Sequence, residues 1–435
     1  PSYRPEIDGL RAISVLIVIF YHSNISYFDK KFLSGGYVGV DIFFVISGYL
    51  ISSIILKELK ETNKFSFVNF YKRRARRILP ALFFVMLISF PFAYYFTLPN
   101  FFVDYSKSII SSVIFVSNIY FWSQGSGYDL LQYVEFQPFL HTWSLSVEEQ
   151  FYFLQPIILL LTFKYLRRFL PIVILFGLFS SLILSNWMSY NHASFNFYVL
   201  PTRGWELLAG TFLAFYEIKI GRNNNKFLNL VLPLVGLILI LFFAFSADHE
   251  TFHPSFYTVI PVIGACLIIW FSTEENFITK ILSSNLFVGI GLISYSLYLW
   301  HYPILIFFKE INVLILFLLT FVLSILTYKF IEKPFRQKKI KSKVYNLKAL
   351  LCLSVVLILI NVLVINRDGF YERSNFPKII EDIVKKDRLS ESENMFFRLK
   401  TNLFTQINTR VLNRKVKRDK KNFNYDKNKK NIYIM

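Results

Sequence analysis

Arg11 and His22 are the two residues whose types and spacing point most directly to chemistry. Both lie in the first apolar segment, Leu10–Ile25. In a helix, a step of about eleven residues nearly completes three turns and rises about 16 Å, so both side chains would share one helix face. That rise is close to the reach of an extended pantetheine arm. A guanidinium at the membrane edge could therefore hold the phosphates of an acyl-CoA while the imidazole meets its thioester. The alternative is that Arg11 anchors the helix end and His22 is a satisfied residue inside a helix bundle.

The composition indicates a polytopic membrane protein. Hydrophobic residues make up 54% of the 435 residues and aromatic residues 19%, which excludes a soluble globular chain. The formal net charge of +20 comes from Lys and Arg clusters between apolar segments. Such clusters are typical of cytoplasmic loops that face anionic lipid. Because few aromatic residues accompany the basic runs, we expect no nucleic-acid partner.

Twelve apolar segments can be recognised along the chain. They lie at about 10–25, 38–56, 78–97, 106–122, 145–163, 169–188, 201–217, 227–246, 256–271, 285–307, 311–331 and 347–365. The run Lys72–Arg77 must be cytoplasmic by the positive-inside rule, which places the N-terminus inside. Lys164 must be cytoplasmic as well, so an even number of spans must separate the two basic runs. We therefore predict that 106–122 is re-entrant or only partly inserted, which gives eleven spans and an extracytoplasmic C-terminus.

The composition changes after Asn366. We predict a transmembrane domain at 1–340, an additional span within 341–366 and a polar tail at 367–435. The end of the tail is rich in Lys and Asn and has too little apolar surface to offset the entropy of ordering, so we expect it to be partly disordered. We expect the tail to be extracytoplasmic.

Arg73–Arg77 supplies four guanidinium groups in five residues at the cytoplasmic face. Arginine suits bidentate recognition of phosphate better than lysine does. We therefore favour phosphate binding over a role as topology anchor alone, and we select Arg74 and Arg77 together with Arg11.

His141 and Glu148 precede and open the span at 145–163. Ser146 and Glu149 fit a capping box, which gives Glu149 a structural explanation. No such explanation applies to His141 and Glu148, which could act as acid and base on a hydroxyl at the external mouth of the bundle. Asp41, near the outer interface, is either a helix-start charge or a functional residue.

Arg203 and Glu206 are three residues apart and would pair on one helix face, as structural glue or as the wall of a pocket. His301 lies in a span beside aromatic residues, either in an interfacial belt or in a site. The remaining histidines, His192, His249 and His253, fall in expected external loops and receive no role. No histidine has the spacing of a metal ligand motif, so we expect no metal.

Seven motifs, in unbroken order from about Arg4 to Arg336, resemble the acyltransferase-3 family of bacterial multi-pass membrane O-acyltransferases. They are Arg11 with His22, GVDIFFVISGYLI, the Arg-rich segment, HTWSLSVEEQFY, RGWELLAG, SYSLYLWHYP and EKPFR. The family includes O-antigen and peptidoglycan O-acetylases. The resemblance implies an all-α transmembrane bundle of about ten helices, here with one additional C-terminal span.

The resemblance also implies a function. The expected donor is cytoplasmic acetyl-CoA, and the expected acceptor is a hydroxyl of an extracytoplasmic cell-envelope polysaccharide, such as an O-antigen, lipopolysaccharide or peptidoglycan sugar. Arg11 and His22 occupy the family's essential Arg–His pair, and Arg74 and Arg77 belong to its donor-side arginines. His22 would act as general base or as transient acyl carrier, and the two possibilities stay open.

The acceptor would approach from outside, past Glu148 and His141, with Asp41, Arg203, Glu206 and His301 as its binding residues. Many relatives add an SGNH esterase-like domain, which we do not recognise in the tail, so a separate SGNH-type partner is conceivable. The expected location is the bacterial inner membrane. The alternative function is an envelope glycolipid transporter or flippase, which would not release CoA from acetyl-CoA.

Overall fold

The computed structural model describes residues 3–23, 25–27, 30–125, 137–223, 225–248, 250–336 and 347–370. Within these ranges, β1 (Ser26–Tyr27) and β2 (Lys30–Lys31) form a small antiparallel hairpin. The other regular elements are helical. They are α1 (Pro5–His22), α2 (Gly39–Thr62), α3 (Phe67–Phe96), α4 (Pro99–Val113), α5 (Ser117–Ser123), α6 (Thr142–Tyr165), α7 (Leu170–Asn191), α8 (Ala193–Tyr198), α9 (Leu200–Ile220), α10 (Lys226–Ser246), α11 (Val259–Phe271), α12 (Phe277–Leu282), α13 (Asn285–Phe307), α14 (Val313–Thr327), α15 (Lys333–Arg336) and α16 (Leu347–Asn366). Single 3₁₀ turns occupy Gly36–Val38, Arg167–Phe169 and Phe256–Thr258, and a π-helical turn occupies Tyr328–Glu332.

Seven of the described helical segments are long and apolar enough to cross a membrane. They are Gly36–Thr62, Phe67–Phe96, Arg167–Asn191, Lys226–Ser246, Asn285–Phe307, Val313–Arg336 and Leu347–Asn366. Helices α1, α6 and α9 are not among these seven segments, although they have 18, 24 and 21 residues. They carry charged side chains, several of which are buried in the bundle. The predicted all-α polytopic bundle is confirmed. The count of eleven spans and the domain boundaries stay predictions, and most of the predicted tail lies outside the described residues.

The bundle has two chemically different ends. At the histidine end, which we define by His22, His141 and His301, the C-terminal ends of α1 and α13 meet the N-terminal end of α6. The rings of His22 and His301 are 5.2 Å apart, and those of His141 and His301 are 5.4 Å apart. At the arginine end, which we define by Arg11 and Arg74, the first halves of α1 and α3 come together.

The segment predicted as a partly inserted helix, 106–122, is two helices, α4 and α5. They are separated at Phe115, which has a positive φ of 57°. The 15 residues of α4 reach only about 22 Å, less than the ~30 Å of a hydrocarbon core. Its start follows the end of α3, and its Ser112 hydroxyl lies 2.7 Å from that of Thr142, the first residue of α6. The turn after α4 reaches further along α6, since the Gln150 side chain donates to the carbonyl of Phe115 at 3.0 Å. Helix α4 therefore starts at the histidine end and stops inside the bundle.

The arginine-rich segment, which we predicted to be a loop, lies inside a helix. Helix α3 begins at Phe67, about eleven residues before the apolar segment 78–97. The hydroxyl of Ser66 caps it by accepting a hydrogen bond from the Asn69 backbone N–H, at 3.4 Å. Lys and Arg are good helix formers, so the basic run extends the helix beyond the apolar stretch. The helix fixes the direction of each guanidinium, which a loop would not do.

Helices α2 and α9 pack closely because glycines face each other's backbone. A methyl group added at Gly48 would overlap the carbonyl oxygen of Leu207, and one added at Gly210 would overlap that of Val45. Beside this contact, the hydroxyls of Ser52 and Thr211 lie 2.8 Å apart. Small residues permit such approaches between membrane helices. This crossing holds the N-terminal halves of α2 and α9 together.

We predict that Gly48→Ala lowers stability by about 1–3 kcal/mol, because its methyl group forces the two backbones apart. Thermal unfolding of detergent-purified protein, followed by size-exclusion fluorescence, would measure the change. The matched control is Gly289→Ala on α13, where an added methyl group has no heavy atom within 4 Å. Equal melting temperatures for both variants would contradict the assigned close contact.

Candidate functional site

A cleft at the arginine end brings together the three arginines selected from the sequence. Arg11 reaches it from α1, and Arg74 and Arg77 reach it from α3. Glu148 and Tyr152 of α6 form the facing wall. The cleft encloses about 790 Å³, including the space at its open mouth. Its remaining lining comes mainly from α2 and α13 and is mostly apolar or aromatic.

Two of the three cleft arginines have no ion-pair partner. Arg11 donates to the carboxylate of Asp8 at 3.0 Å. For Arg74 and Arg77, no carboxylate lies within 4.0 Å among the residues that the structure describes. The guanidinium of Arg74 instead lies 5.7 Å from the centre of the Tyr152 ring. Two guanidinium groups that form no close ion pair with a described residue, in one cleft, are suited to binding phosphate groups.

Glu148 lies on the cleft side and not beside His141, which corrects the predicted acid–base pair at the outer mouth. Helix α6 begins at Thr142, so Glu148 lies two turns, about 10 Å, along the helix from His141. Its carboxylate accepts a hydrogen bond from the Tyr152 hydroxyl at 2.9 Å. The predicted capping box is also wrong, because the helix begins before Ser146, whose hydroxyl accepts from the Ser117 backbone N–H instead.

The histidine cluster has a defined order of donors and acceptors. His301 Nδ1 lies 2.6 Å from the carbonyl oxygen of Tyr298, and His301 Nε2 lies 3.2 Å from His22 Nδ1. Because a carbonyl can only accept, neutral His301 donates from Nδ1 and accepts at Nε2. His22 therefore donates from Nδ1, and Nε2 of neutral His22 carries the lone pair that a general base or nucleophile needs.

His141 completes the cluster through ring contacts. Its imidazole is 3% exposed and lies 5.5 Å, centre to centre, from the Tyr302 ring. Neither of its ring nitrogens has a well-formed hydrogen bond among the described residues, although the backbones of Pro138 and Leu299 lie nearby. A buried polar group without a partner is costly and indicates a strained or ligand-binding position.

Tyr298 lies between the arginine cleft and the histidine cluster. It lines the cleft, and its ring is 5.2 Å from that of His141 and 5.4 Å from that of His301. Its hydroxyl donates to the carbonyl oxygen of His141 at 2.7 Å and lies 2.6 Å from the Ser144 hydroxyl. The sequence analysis quoted this residue within a motif but gave it no role, because only the tertiary contacts place it on the boundary.

Arg203, Asp41 and Glu206 form one buried cluster. The predicted pair of Arg203 with Glu206 is confirmed at 3.0 Å, and the same Nη1 atom donates to Asp41. All three residues are 0% exposed, so none of them presents an accessible surface to a substrate. The guanidinium lies near the rings of three aromatic residues, at 5.1–5.9 Å from their centres: Phe44, Trp143 and Phe197.

His253 belongs to the same cluster, although the sequence analysis gave it no role. Its Nε2 lies 3.2 Å from Arg203 Nη2 and 3.6 Å from an Asp41 oxygen. Burial and the Arg203 charge hold the pKa of this loop histidine well below its usual value. Its position 50 residues away from Arg203 leaves no local signal that could have identified it. His192 lies in a nearby loop, and His249 lies outside the described residues.

Among the described residues, no group of three or more His, Cys, Asp or Glu is arranged to hold a metal ion. The arrangement instead offers an anion-binding cleft, an ordered imidazole pair about 16 Å along α1 from Arg11, and an aromatic boundary between them.

Comparisons with known proteins place these features in a family. The profile of an acyltransferase domain, acyltransferase-3, matches residues 4–331. The chain is similar to the O-acetyltransferase OatA of Staphylococcus aureus strains NCTC 8325 and COL, at 34% identity over 364 residues in each case. Each alignment covers 79% of this chain and 58% of the relative, so the chain spans under two thirds of the length of these relatives. No solved structure matches the chain.

The matched region contains every residue of the arginine cleft, the histidine cluster and the Arg203 cluster described above. The chain belongs to the acyltransferase-3 family.

Proposed function

We propose that the protein is a membrane O-acetyltransferase that moves an acetyl group from cytoplasmic acetyl-CoA to a hydroxyl of an extracytoplasmic cell-envelope glycan. The observation that carries the proposal is the arginine cleft, which extends toward the histidine cluster along the helix that carries both Arg11 and His22. The names of the similar proteins agree with acetyl transfer. A transporter would have no need for an anion cleft directed at an ordered imidazole.

The proposed binding of CoA depends on the positive charge of the cleft arginines. Arg74 and Arg77 would hold the phosphates of CoA at the mouth of the cleft, and Arg11 would contribute from α1. The mostly apolar interior would receive the pantetheine arm, which has the reach to bring the thioester toward His22. Tyr298 lies where the arm would leave the cleft, so its side chain must shift to let the thioester through.

His22 has two balanced routes to the product. As a base, Nε2 takes the proton of the sugar hydroxyl, the oxygen attacks the acetyl carbon, the carbon–sulfur bond breaks, and the proton passes to the departing thiolate. As a carrier, Nε2 attacks the acetyl carbon, the carbon–sulfur bond breaks and CoA leaves as the thiolate. The sugar oxygen then attacks the acetyl carbon, the carbon–nitrogen bond breaks, and the hydroxyl proton passes by way of Nε2 to the thiolate. In both routes, the donation from Nδ1 to His301 keeps the lone pair on Nε2. His301 therefore acts as a positioning residue.

We propose that the arginine end faces the cytoplasm and the histidine end faces outward, in the bacterial inner membrane. The end of α16 supports an extracytoplasmic tail, because Phe370 lies near Tyr94, at 6.3 Å between ring centres. Tyr94 is at the end of α3 opposite the basic run. The acetyl group would then reach the glycan directly or through a separate SGNH-type partner.

We first predicted that Asp41, Arg203 and Glu206 bind substrate. We propose instead that they hold the walls of a cavity at the histidine end in place. They are shielded from solvent, but Arg203 donates from Nε to the carbonyl oxygen of Phe197 at 3.1 Å and contacts His253. Both partners line a cavity at the histidine end. Glu148 and His141 would then act on different sides of Tyr298, Glu148 near the donor and His141 near the reacting groups.

We predict that His22→Ala lowers acetyl transfer at least a hundredfold, because the lone pair that acts on the hydroxyl or thioester is removed. Release of CoA thiol by the purified protein and acetylation of envelope glycans in cells would measure the loss. The variant should still be stabilised against heat by CoA, since the arginine cleft is unchanged. Transfer at a rate near that of the wild type would contradict the mechanism.

We predict that the double change Arg74→Lys and Arg77→Lys lowers kcat/KM for acetyl-CoA at least tenfold, which corresponds to about 1.4 kcal/mol. Lysine keeps the positive-inside signal but loses the bidentate fork. The matched control is Arg73→Lys, because the Arg73 side chain is 48% exposed and lies outside the cleft. If the double variant and the control have the same kcat/KM, the basic run serves topology alone.

We predict that His301→Ala lowers kcat at least tenfold while changing KM for acetyl-CoA less than about threefold, because His22 loses the acceptor that orients its ring. His301→Gln should recover part of the activity, since an amide oxygen can accept from His22 Nδ1. Steady-state kinetics over a range of pH would separate this positioning effect from a change in donor binding. A KM effect alone would place His301 in the substrate site instead.

A further inference from the structure

A second cavity, of about 1550 Å³ including the space at its open mouth, opens at the histidine end and is separate from the arginine cleft. Its walls come from α5, α8, the end of α7 and the loop between α10 and α11. Aromatic side chains are partly exposed at its rim. Trp122 is 39% exposed and Phe252 is 43% exposed, and the Trp122 ring packs edge-on against that of Phe195 at 5.2 Å. Aromatic rings combined with a few polar groups are a usual lining for a cavity that binds a small molecule.

The polar groups of the cavity are acidic or neutral. Asp248, Glu250, His192 and His253 line it, and none of its described lining residues is Lys or Arg. This contrasts with the net charge of +20 for the chain and with the three arginines of the other cleft. An acidic wall disfavours phosphate or carboxylate ligands, whereas carboxylate oxygens accept hydrogen bonds from hydroxyl groups.

The aromatic and acidic groups together match the chemistry of a neutral pyranose. One face of such a sugar carries C–H groups that stack on aromatic rings, and its edge carries hydroxyl groups that donate to carboxylates. A cavity of this size holds a short oligosaccharide segment. Neither an acyl chain nor an anionic polymer would use both sets of groups.

The cavity is held rigidly by the buried Arg203 cluster. His253 forms part of the wall and is fixed on two sides, by Arg203 and by the Thr258 hydroxyl at 3.1 Å from its Nδ1. The carbonyl of Phe197, another lining residue, accepts from Arg203 Nε. The Arg203 cluster thus positions two walls of the cavity, and this positioning is a structural role for its buried charges.

Two buried aromatic rings separate the cavity from the proposed reaction centre. The ring of Tyr37, which lines the cavity, lies 4.4 Å from that of His253 and 5.6 Å from that of Tyr21. Tyr21 in turn contacts His22 at 5.1 Å between ring centres. A glycan in the cavity would have to reach past these rings to present a hydroxyl to His22.

We infer that this cavity is the acceptor subsite and that it selects an uncharged glycan, with Trp122 and Phe252 as stacking surfaces and Glu250 as hydrogen-bond acceptor. The inference rests on the proposed function, because only acyl transfer requires an acceptor here. It adds the location of the acceptor and its charge class.

The test measures binding of defined oligosaccharides to the full chain in lipid nanodiscs. The probes are cellotetraose and chitotetraose, which are neutral, and tetragalacturonate, which is anionic. We expect saturable binding of at least one neutral probe, weakened at least tenfold by Trp122→Ala. The matched control is Trp187→Ala, since Trp187 is 55% exposed but does not line the cavity. Glu250→Lys should raise the affinity for tetragalacturonate.

The outcomes separate this inference from the proposed function. Stabilisation of the wild-type protein against heat by CoA tests the donor side and requires no acceptor. Equal sugar binding by the wild type and Trp122→Ala, tighter binding of tetragalacturonate than of both neutral probes, or no binding of either neutral probe would overturn the acceptor subsite. Absence of stabilisation by CoA in the wild type would overturn the proposed function instead.

Discussion

A charge inside an apolar helix bundle must be surrounded by partners, and the histidine end of this protein is organised around that requirement at Arg203. Its guanidinium donates hydrogen bonds to the carboxylates of Asp41 on α2 and Glu206 on its own helix. It also contacts the ring of His253 in the loop before α11. Removing one partner from such a cluster leaves an uncompensated buried charge, which is strongly destabilising. The cluster therefore fixes α2, α9 and the outer loop relative to one another, and this fixed frame is what allows a defined cavity at the surface.

The two ends of the bundle are linked through α1. Arg11 lies in the cleft, where the surroundings are cationic, and His22 lies among aromatic rings and other imidazoles. Tyr298 contacts both regions and lies between them. The proposed transfer across the bilayer needs such a boundary, because an open channel would let water and ions leak through the membrane. The hydroxyl contacts of Tyr298 with the first turn of α6 keep the boundary closed.

The break between α4 and α5 illustrates how irregular backbone is accommodated inside the bundle. Such backbone is tolerated in a membrane protein only where protein or water satisfies its polar groups. The carbonyl of Phe115 accepts from the Gln150 side chain at 3.0 Å, and the N–H of Ser117 donates to the Ser146 hydroxyl at 3.2 Å. The polar residues of α6 therefore support the neighbouring turn as well as the candidate site. This explains why so many hydroxyl and amide side chains occur near the start of that helix.

The sequence by itself determined the membrane class, the family, most of the long helices and the three arginines of the cleft, because hydropathy and motif order are encoded over short stretches. It also identified the pair of Arg203 with Glu206, which depends only on helical spacing. Tertiary structure alone decided that Glu148 lies near the arginines, that His301 orients His22, and that His253 joins Arg203. These contacts join residues far apart in the chain, so their geometry is set by helix packing and has no local signature.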